Sequence, residues 1–315
     1  MITSETVLVL GAGASADLKF PTGRGLREII INSLKQPSLG DNLPAMLSQL
    51  LRIQAKSDVI RSFVTNFEYA LDTSIDRFLE DTKSKEYDII GRAAIAYHIA
   101  RAEKRAQNLL TRSGWYGVLF DAITSHGIEH IAKNRLRIIT FNYDRSLDQA
   151  LAQAIVSRFP SNTLMEEKIK AVKSIPIVHV HGQLGYLSFQ ERGDKYFDFG
   201  DSVTVHALKM LSDCIKVVHQ GVDSTSELTL AKAWLEQAEF VNFLGFGFDR
   251  RNLQRIQFNQ ENKQVRATAH DLQNNDIERI NSLFLQTCGG TQGIRFAGGR
   301  IDMFLRNEPW ARFEY

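Results

Sequence analysis

The chain has 315 residues, 43% of them hydrophobic, which suits either one α/β domain with an insertion or two modest domains. Its 38 basic and 36 acidic side chains give a formal net charge of +2, so no global field draws it to nucleic acid or to an anionic membrane. The only cysteines, Cys214 and Cys288, are too few for a disulfide framework or a four-thiolate zinc site. We therefore expect no direct nucleic-acid binding and a reducing compartment.

The first apolar run, Val7 to Leu10, is short because Gly11 ends it. A signal-peptide core or a membrane span needs a longer stretch, so we expect a cytoplasmic protein without membrane association. The run is rich in β-branched residues and leucine. It predicts a strand that is buried on both faces and turns sharply into a helix.

Short apolar runs of the same kind recur along the chain. They are Leu136 to Phe141, Ile175 to Val180, Phe240 to Leu244 and, as a fifth candidate strand, Gln264 to Ala269. Helical patterns separate them, for example Arg145 to Arg158 and Leu228 to Gln237. This alternation predicts an α/β, Rossmann-like fold with a mostly parallel sheet and helices on both faces. Ligands bind beyond the carboxyl ends of such strands, so the residues that follow the strands should share one edge.

Between roughly Pro37 and His130 the spacing of apolar residues is helical, and no convincing strand is present. We predict a single domain with a Rossmann-like core at 1–36 and 131–315 and a helical insertion, after the first βα unit, at 37–130. Mixed charges within the insertion, such as Arg101-Ala102-Glu103-Lys104-Arg105, favour a solvated helix face, with a nucleic-acid or partner contact as the alternative.

A loop of small residues, Gly11-Ala12-Gly13-Ala14-Ser15-Ala16, follows the first strand and matches the relaxed G-x-G-x-x-G/A fingerprint. Such residues let backbone N–H groups approach a pyrophosphate at a helix N-terminus, and a tight turn without a ligand is the alternative. A hydride-transferring enzyme should show a second strand with a terminal acidic residue about twenty residues further on. Here Leu26 to Ile30 indicates a helix instead. We expect the loop to hold a nucleotide in an architecture different from a dehydrogenase.

Polar side chains follow the second strand at Asn142 and Asp144, where they could hydrogen-bond a ribose or a water. Aspartate is also a favoured helix N-cap, and this role is compatible with ligand contact. Asn142 is harder to explain without a ligand, because an amide that closes a buried apolar strand needs hydrogen-bond partners.

The third strand ends in two histidines, His179 and His181, which alternation places on one face of the strand. His181 lies at the open end and could serve as a general base toward a ribose hydroxyl, with Gly182 leaving room for a ligand. His179 is deeper, and we expect a hydrogen-bonded core residue. The pair could instead ligate the metal of a metal-dependent hydrolase, but the remaining ligands are missing from the pattern, so we expect no metal.

Six motifs, taken in order, resemble those of the bacterial sirtuin-like NAD hydrolases. They are Gly11-Ala12-Gly13-Ala14-Ser15, Phe20-Pro21-Thr22, Ser74-Ile75-Asp76-Arg77-Phe78-Leu79, Thr140-Phe141-Asn142-Tyr143-Asp144, His181-Gly182 and Gly245-Phe246-Gly247-Phe248-Asp249. The resemblance covers roughly Val7 to Asn252. Each motif is short, but their combination and order are specific.

The resemblance implies that NAD+ is the substrate, with Asn142 and His181 as catalytic residues. The residues it implies for NAD+ binding are Gly11, Ala12, Gly13, Ser15, Thr22, Asp144, Gly245, Gly247 and Asp249. Sirtuins usually carry a hydroxyl residue where Gly247 stands, so one side-chain hydrogen bond to the adenosine ribose is missing. Protein-deacylating sirtuins also carry a four-cysteine zinc module after the catalytic histidine, and Gly182 to Ser202 contains no cysteine.

Sirtuin-like hydrolases that lack the zinc module are effectors of antiphage defence, in which loss of NAD stops phage production. The resemblance therefore implies hydrolysis of NAD+ to nicotinamide and ADP-ribose. An uncontrolled NAD hydrolase would kill its host, so we expect a regulatory partner protein from the same defence system or a change in self-assembly as the trigger, and we expect a homo-oligomer. A protein deacylase or ADP-ribosyl transferase and a nucleotide-sensing module without turnover are the alternatives. Three arginines after the last motif, Arg250, Arg251 and Arg255, could contact a phosphate or a partner, but the pattern favours a solvated helix face.

Overall fold

The computed structural model describes residues 1–35, 45–71, 74–112, 114–159, 163–190, 193–217 and 225–314. Within these ranges, six parallel strands form one sheet. The strands are β1 Thr6–Leu10, β2 Leu136–Thr140, β3 Ile177–His179, β4 Phe240–Leu244, β5 Gln264–Thr268 and β6 Arg295–Ala297. Their spatial order, β3-β2-β1-β4-β5-β6, is that of a Rossmann sheet. The predicted α/β fold with a parallel sheet is confirmed.

Five of these strands were predicted from apolar runs, and β6 was not. The run at Ile175 to Val180 forms a strand of only three residues, because the chain turns directly after His179. Strand β6 is equally short, and its first residue, Arg295, is exposed. A half-exposed edge strand of this length has no apolar run by which the sequence could reveal it.

Helices cover both faces of the sheet. They are α1 Gly23–Leu34, α2 Ala45–Gln54, α3 Ser57–Tyr69, α4 Ile75–Thr82, α5 Lys85–Ala106, α6 Gly114–Thr124, α7 Ser146–Arg158, α8 Met165–Lys173, α9 Val205–Cys214, α10 Ser226–Gln237, α11 Arg250–Arg255, α12 Asn274–Cys288 and α13 Ile301–Asn307. In the described ranges, none of them is long and apolar enough to cross a membrane. The predicted first residue of the insertion, Pro37, lies outside the described residues.

Successive residues of β1 point into two separate apolar cores. Leu8 and Leu10 belong to a core that includes Phe63 of α3 and the other insertion helices. Val7 and Val9 belong to the opposite core, which is closed by α10, α11 and α12. The central strand is therefore buried on both faces, and the helices at 45–124 share an apolar core with one face of the sheet.

The prediction of a solvated helix face around Glu103 is wrong for that residue. Glu103 and Arg145 both have fully buried side chains, and the Arg145 Nη2 and Nε groups donate to the two Glu103 carboxylate oxygens at 2.6 and 3.1 Å. Ile99 and Ala106, each about one helical turn away on α5, are buried as well, so Glu103 faces the core. A buried pair therefore fixes α5 to the start of α7.

Candidate functional site

A cavity of about 260 Å³ lies at the carboxyl ends of the strands, where the strand order reverses between β1 and β4. This position is where ligands bind in open parallel α/β sheets. The predicted site residues on its wall are Gly11, Ala12, Asn142, Asp144, His181, Gly247 and Asp249. Its wall also includes side chains to which the sequence analysis assigned no role, among them Ser74, Asp76, Arg77, Tyr143, Phe246 and Asn252.

The glycine loop runs from β1 into a 3-10 helix, Ala12–Leu18. The fingerprint predicted the N-terminus of an α-helix at this point, and the first α-helix begins only at Gly23. Gly11 and Ala12 line the cavity, whereas Gly13 and Gly245 are absent from its lining. The Gly13 N–H donates to the Gly245 carbonyl at 3.0 Å, so these two glycines bring the two loops into close contact.

We expect Gly245→Ala to destabilise the fold by about 2 to 4 kcal/mol, from backbone strain and overpacking together. The Gly245 φ angle is +57°, and an added Cβ would lie 2.3 Å from the Ala14 nitrogen. Gly247→Ala is the matched control, because a Cβ there meets nothing within 4 Å. Urea unfolding of both variants measures the difference. Equal stability of the two would contradict this account of the loop contact.

Asn142, Ser15 and Asp144 form a buried hydrogen-bond chain at one end of the cavity. The Asn142 Nδ2 donates to the Gly11 carbonyl at 3.1 Å and to the Ser15 Oγ at 3.2 Å. The Ser15 hydroxyl in turn donates to the Asp144 carboxylate at 3.2 Å. The chain fixes the amide orientation and ties the end of β2 to the glycine loop. Ser15 thus supports the cavity wall, although it is not part of the cavity lining.

Asp144 combines the two predicted roles, because it lines the cavity and also accepts from the Ser146 N–H at 3.1 Å at the start of α7. Burial raises the pKa of Asp144, and the hydrogen bonds from Ser146 and Ser15 oppose that rise. Thr22 has a capping role at α1, where its Oγ1 accepts from the Gly25 N–H at 3.3 Å. The neighbours of Thr22, Pro21 and Gly23, line the cavity.

His181 is the buried histidine of the cavity, with 3% of its surface exposed. Its ring packs edge-on against Phe141, with the centroids 5.5 Å apart. Among the described residues, its buried Nδ1 has no hydrogen-bond partner. Burial lowers the pKa of His181, while the charge of Asp76 partly opposes this effect. The imidazole is therefore uncharged at neutral pH and able to accept a proton.

His179 lies outside this cavity and is hydrogen-bonded at both ring nitrogens. Its Nε2 lies 3.2 Å from an Asp148 carboxylate oxygen, and its Nδ1 lies 3.1 Å from the Asn142 carbonyl. Burial disfavours the charged ring, but Asp148, the Asn142 carbonyl and Asp144 together outweigh this effect, and the pKa of His179 is raised. The predicted shared face with His181 is wrong, because β3 ends at His179. His179 lines instead a separate cavity of about 570 Å³.

No three His, Cys, Asp or Glu side chains in the described ranges are grouped so that they could hold a metal ion. The two histidines also line different cavities. Their arrangement therefore does not support the alternative of a His-x-His metal site.

Helix α4 of the insertion forms one wall of the cavity through Ser74, Asp76 and Arg77. Ser74 caps the helix, and its Oγ accepts from the Arg77 N–H at 3.3 Å. The Tyr143 hydroxyl donates to the Asp76 carboxylate, which joins this wall to the end of β2. The motif at 74–79 was the only sequence signal for this wall, and it carried no indication of which side chain faces a ligand.

Two arginines of α11 hold α4 in place. The Arg251 guanidinium lies 3.1 Å from the Glu80 carboxylate and 2.6 Å from that of Asp81, and the Arg255 Nη2 lies 2.7 Å from Glu80. Arg255 is 8% exposed. The predicted solvated face is therefore wrong for Arg251 and Arg255, because both form ion pairs with α4. The sequence pattern could not show these pairs, because the carboxylate partners are distant in sequence.

The start of α11 lies next to α4 and forms a further part of the cavity wall. Asp249 caps that helix, because its Oδ1 accepts from the Arg251 and Asn252 N–H groups at 2.9 and 3.2 Å. Asn252 lines the cavity together with His181, and its side chain raises the pKa of the ring, which partly opposes the effect of burial. The cavity thus collects residues from the ends of β1, β2, β3 and β4 and from two insertion helices, α4 and, through Ile99, α5.

A scan of the chain against protein-family models finds no match. A search of curated proteins likewise finds no significantly similar sequence.

Proposed function

We propose that this protein is an NAD+ hydrolase that cleaves the nicotinamide–ribose bond and yields nicotinamide and ADP-ribose. The observation that carries the proposal is the single cavity that joins a glycine turn, the Asn142 amide and the uncharged His181 at the point where the strand order reverses. A buried imidazole with an unpartnered Nδ1 among the described residues supports a role in chemistry. The order of the sequence motifs supports NAD+ as the substrate.

The residues of the cavity are sufficient for this reaction. Nicotinamide leaves as a neutral molecule from a cationic glycosidic nitrogen, so the leaving group needs no general acid, unlike that of an ordinary glycosidase. The Asn142 amide has a fixed orientation, because its Nδ2 donates to the Gly11 carbonyl and to the Ser15 hydroxyl. In this orientation Asn142 positions the ribose or the attacking water. His181 accepts a proton from the water or from a ribose hydroxyl as positive charge develops at the anomeric carbon.

We further propose that the enzyme acts in the cytoplasm as an antiphage effector, since it resembles zinc-less sirtuin-like hydrolases. Unregulated loss of NAD would kill the host cell, so a partner protein of the same system or a change in self-assembly switches the activity. A fully active, isolated monomer without any trigger would contradict this part of the proposal.

The direct test is release of nicotinamide from NAD+ by the purified protein, with and without candidate partners and an acylated peptide. We expect release without the peptide and ADP-ribose as the second product. Release only with the peptide would point to a deacylase, although Gly182 to Ser202 contains no cysteine for the zinc module that supports deacylation. Binding of NAD+ without turnover under every condition would contradict catalysis and favour a sensing role.

The pH dependence of the reaction follows from His181. Only the neutral imidazole accepts a proton, and its pKa lies below the ordinary value of 6.5. We expect kcat to fall as the pH drops through the lowered pKa and to be constant above about pH 7. A pH series of kcat, with circular dichroism at each pH to confirm folding, provides the measurement. A rate that still rises steeply above pH 7 would contradict His181 as the base.

A further inference from the structure

The cavity wall carries more negative than positive charge. Its carboxylates are Asp76, Asp144 and Asp249, and among the described lining residues Arg77 is the only Lys or Arg. Negative charge next to a reacting centre stabilises positive charge that develops there, above all in a site from which water is excluded. The reaction proposed above develops positive charge on the nicotinamide ribose. A carboxylate of this wall that lies next to the ribose would stabilise that positive charge.

Two of the three carboxylates already serve the fold. Asp144 accepts from the Ser15 hydroxyl and from the Ser146 backbone. Asp249 accepts from two backbone N–H groups and caps α11. Hydrogen bonds of this kind partly neutralise the carboxylate charge and hold both side chains in place.

Asp76 differs because its contacts leave one carboxylate oxygen available. Its Oδ1 accepts from the Tyr143 hydroxyl, and among the described residues its Oδ2 has no hydrogen-bond partner. The residue is half-buried, lines the cavity together with His181 and is close enough to act on the ring electrostatically. The pairs that join Glu80 to Arg251 and Arg255 fix the helix that carries it. Asp76 is thus a positioned, half-buried carboxylate in the same cavity as the proposed catalytic base.

We propose that Asp76 is a further catalytic residue, whose carboxylate accepts a hydrogen bond from a ribose hydroxyl of the substrate and stabilises the cationic nicotinamide ribose as its glycosidic bond breaks. This inference rests on the proposed function. In the step, the C–N bond breaks and its electron pair leaves with nicotinamide, while a water oxygen forms the new bond to the anomeric carbon. The water proton passes to His181, and Asp76 takes up no proton in the step.

The first test compares Asp76→Asn with the parent in steady-state nicotinamide release. The amide has nearly the shape of the carboxylate and can still accept a hydrogen bond, but it lacks the charge. We expect kcat to fall by about 10²-fold and KM to change much less, because the charge acts mainly in the transition state. Glu86→Gln is the matched control, since it removes an exposed negative charge of the same insertion outside the cavity lining. An unchanged kcat in Asp76→Asn would overturn the proposal.

A second test needs no turnover and separates this proposal from the hydrolase itself. In a His181→Ala background, the affinities for NAD+ and NADH are compared with Asp76 present and with Asp76→Asn. NADH carries a neutral dihydronicotinamide ring, so we expect Asp76 to favour NAD+ and the variant to lose that preference. An absent preference, or one that survives in the variant, would overturn the role of Asp76. If the preference depends on Asp76 but the parent releases no nicotinamide, hydrolysis fails and cation recognition by Asp76 stands.

Discussion

We expect the His181→Ala variant to release nicotinamide from NAD+ about 10²- to 10⁴-fold more slowly than the parent, because alanine removes the proton acceptor of the cavity. His181 is buried against Phe141 and is uncharged at neutral pH. It is the only histidine among the described residues that line this cavity, so no second imidazole takes over its role. The other histidine of the same segment, His179, is hydrogen-bonded at both nitrogens and lines a different cavity. The effect should appear mainly in kcat, measured by initial rates at saturating NAD+.

The exposed His206 on α9 supplies the matched control, and His206→Ala should keep the parent rate. Asn142→Ala should also be nearly inactive, because it removes the amide held between the Gly11 carbonyl and the Ser15 hydroxyl. A folded His181→Ala or Asn142→Ala protein that hydrolyses NAD+ at the parent rate would refute the proposed mechanism.

The largest expected effect on stability is that of Glu103→Ala, at about 3 to 5 kcal/mol in the free energy of unfolding. The substitution leaves the Arg145 guanidinium buried without its carboxylate partner. It also removes the acceptor of the Arg145 backbone N–H, which lies 3.1 Å from Glu103. Arg145 retains a hydrogen bond from its Nη1 to the Phe197 carbonyl at 2.6 Å, but an uncharged carbonyl does not neutralise a buried guanidinium.

Chemical denaturation of Glu103→Ala beside Glu86→Ala provides the measurement. Glu86 lies on the same helix and is exposed, so its replacement should change the free energy of unfolding by no more than about 0.5 kcal/mol. If the two variants prove equally stable, the pair between α5 and α7 does not contribute as its geometry implies.

The sheet could be predicted because its central strands are apolar on both faces. Val7 to Leu10 and Phe240 to Leu244 are uninterrupted apolar runs, and both are buried strands in the structure. The edge strand β6 could not be predicted, since a short strand exposed at Arg295 has no such pattern. Glu103 was misassigned because a charge repeated along a helix shows no sign of a partner that lies 42 residues away.

For the candidate site, the sequence could identify residues that directly follow strands. Asn142 and His181 lie on one cavity wall because parallel strands bring their carboxyl ends to one edge. The contribution of α4 could not be deduced from spacing, since its contacts with Tyr143 and with Arg255 join distant parts of the chain. The role of Gly245 was also beyond the pattern, because a G-x-G match does not distinguish contact with a phosphate from contact with another backbone.

The ion pairs between α4 and α11 bear on how the insertion could be exchanged in protein engineering. Helix α4 supplies a wall of the cavity, and it is held by Glu80 and Asp81 against two arginines that belong to the core. A chimera that receives the insertion of another protein would therefore need matching carboxylates at these two positions as well as a compatible apolar face. Grafting the helices without these carboxylates would remove the ion pairs that join α4 to Arg251 and Arg255 and leave the cavity open on one side.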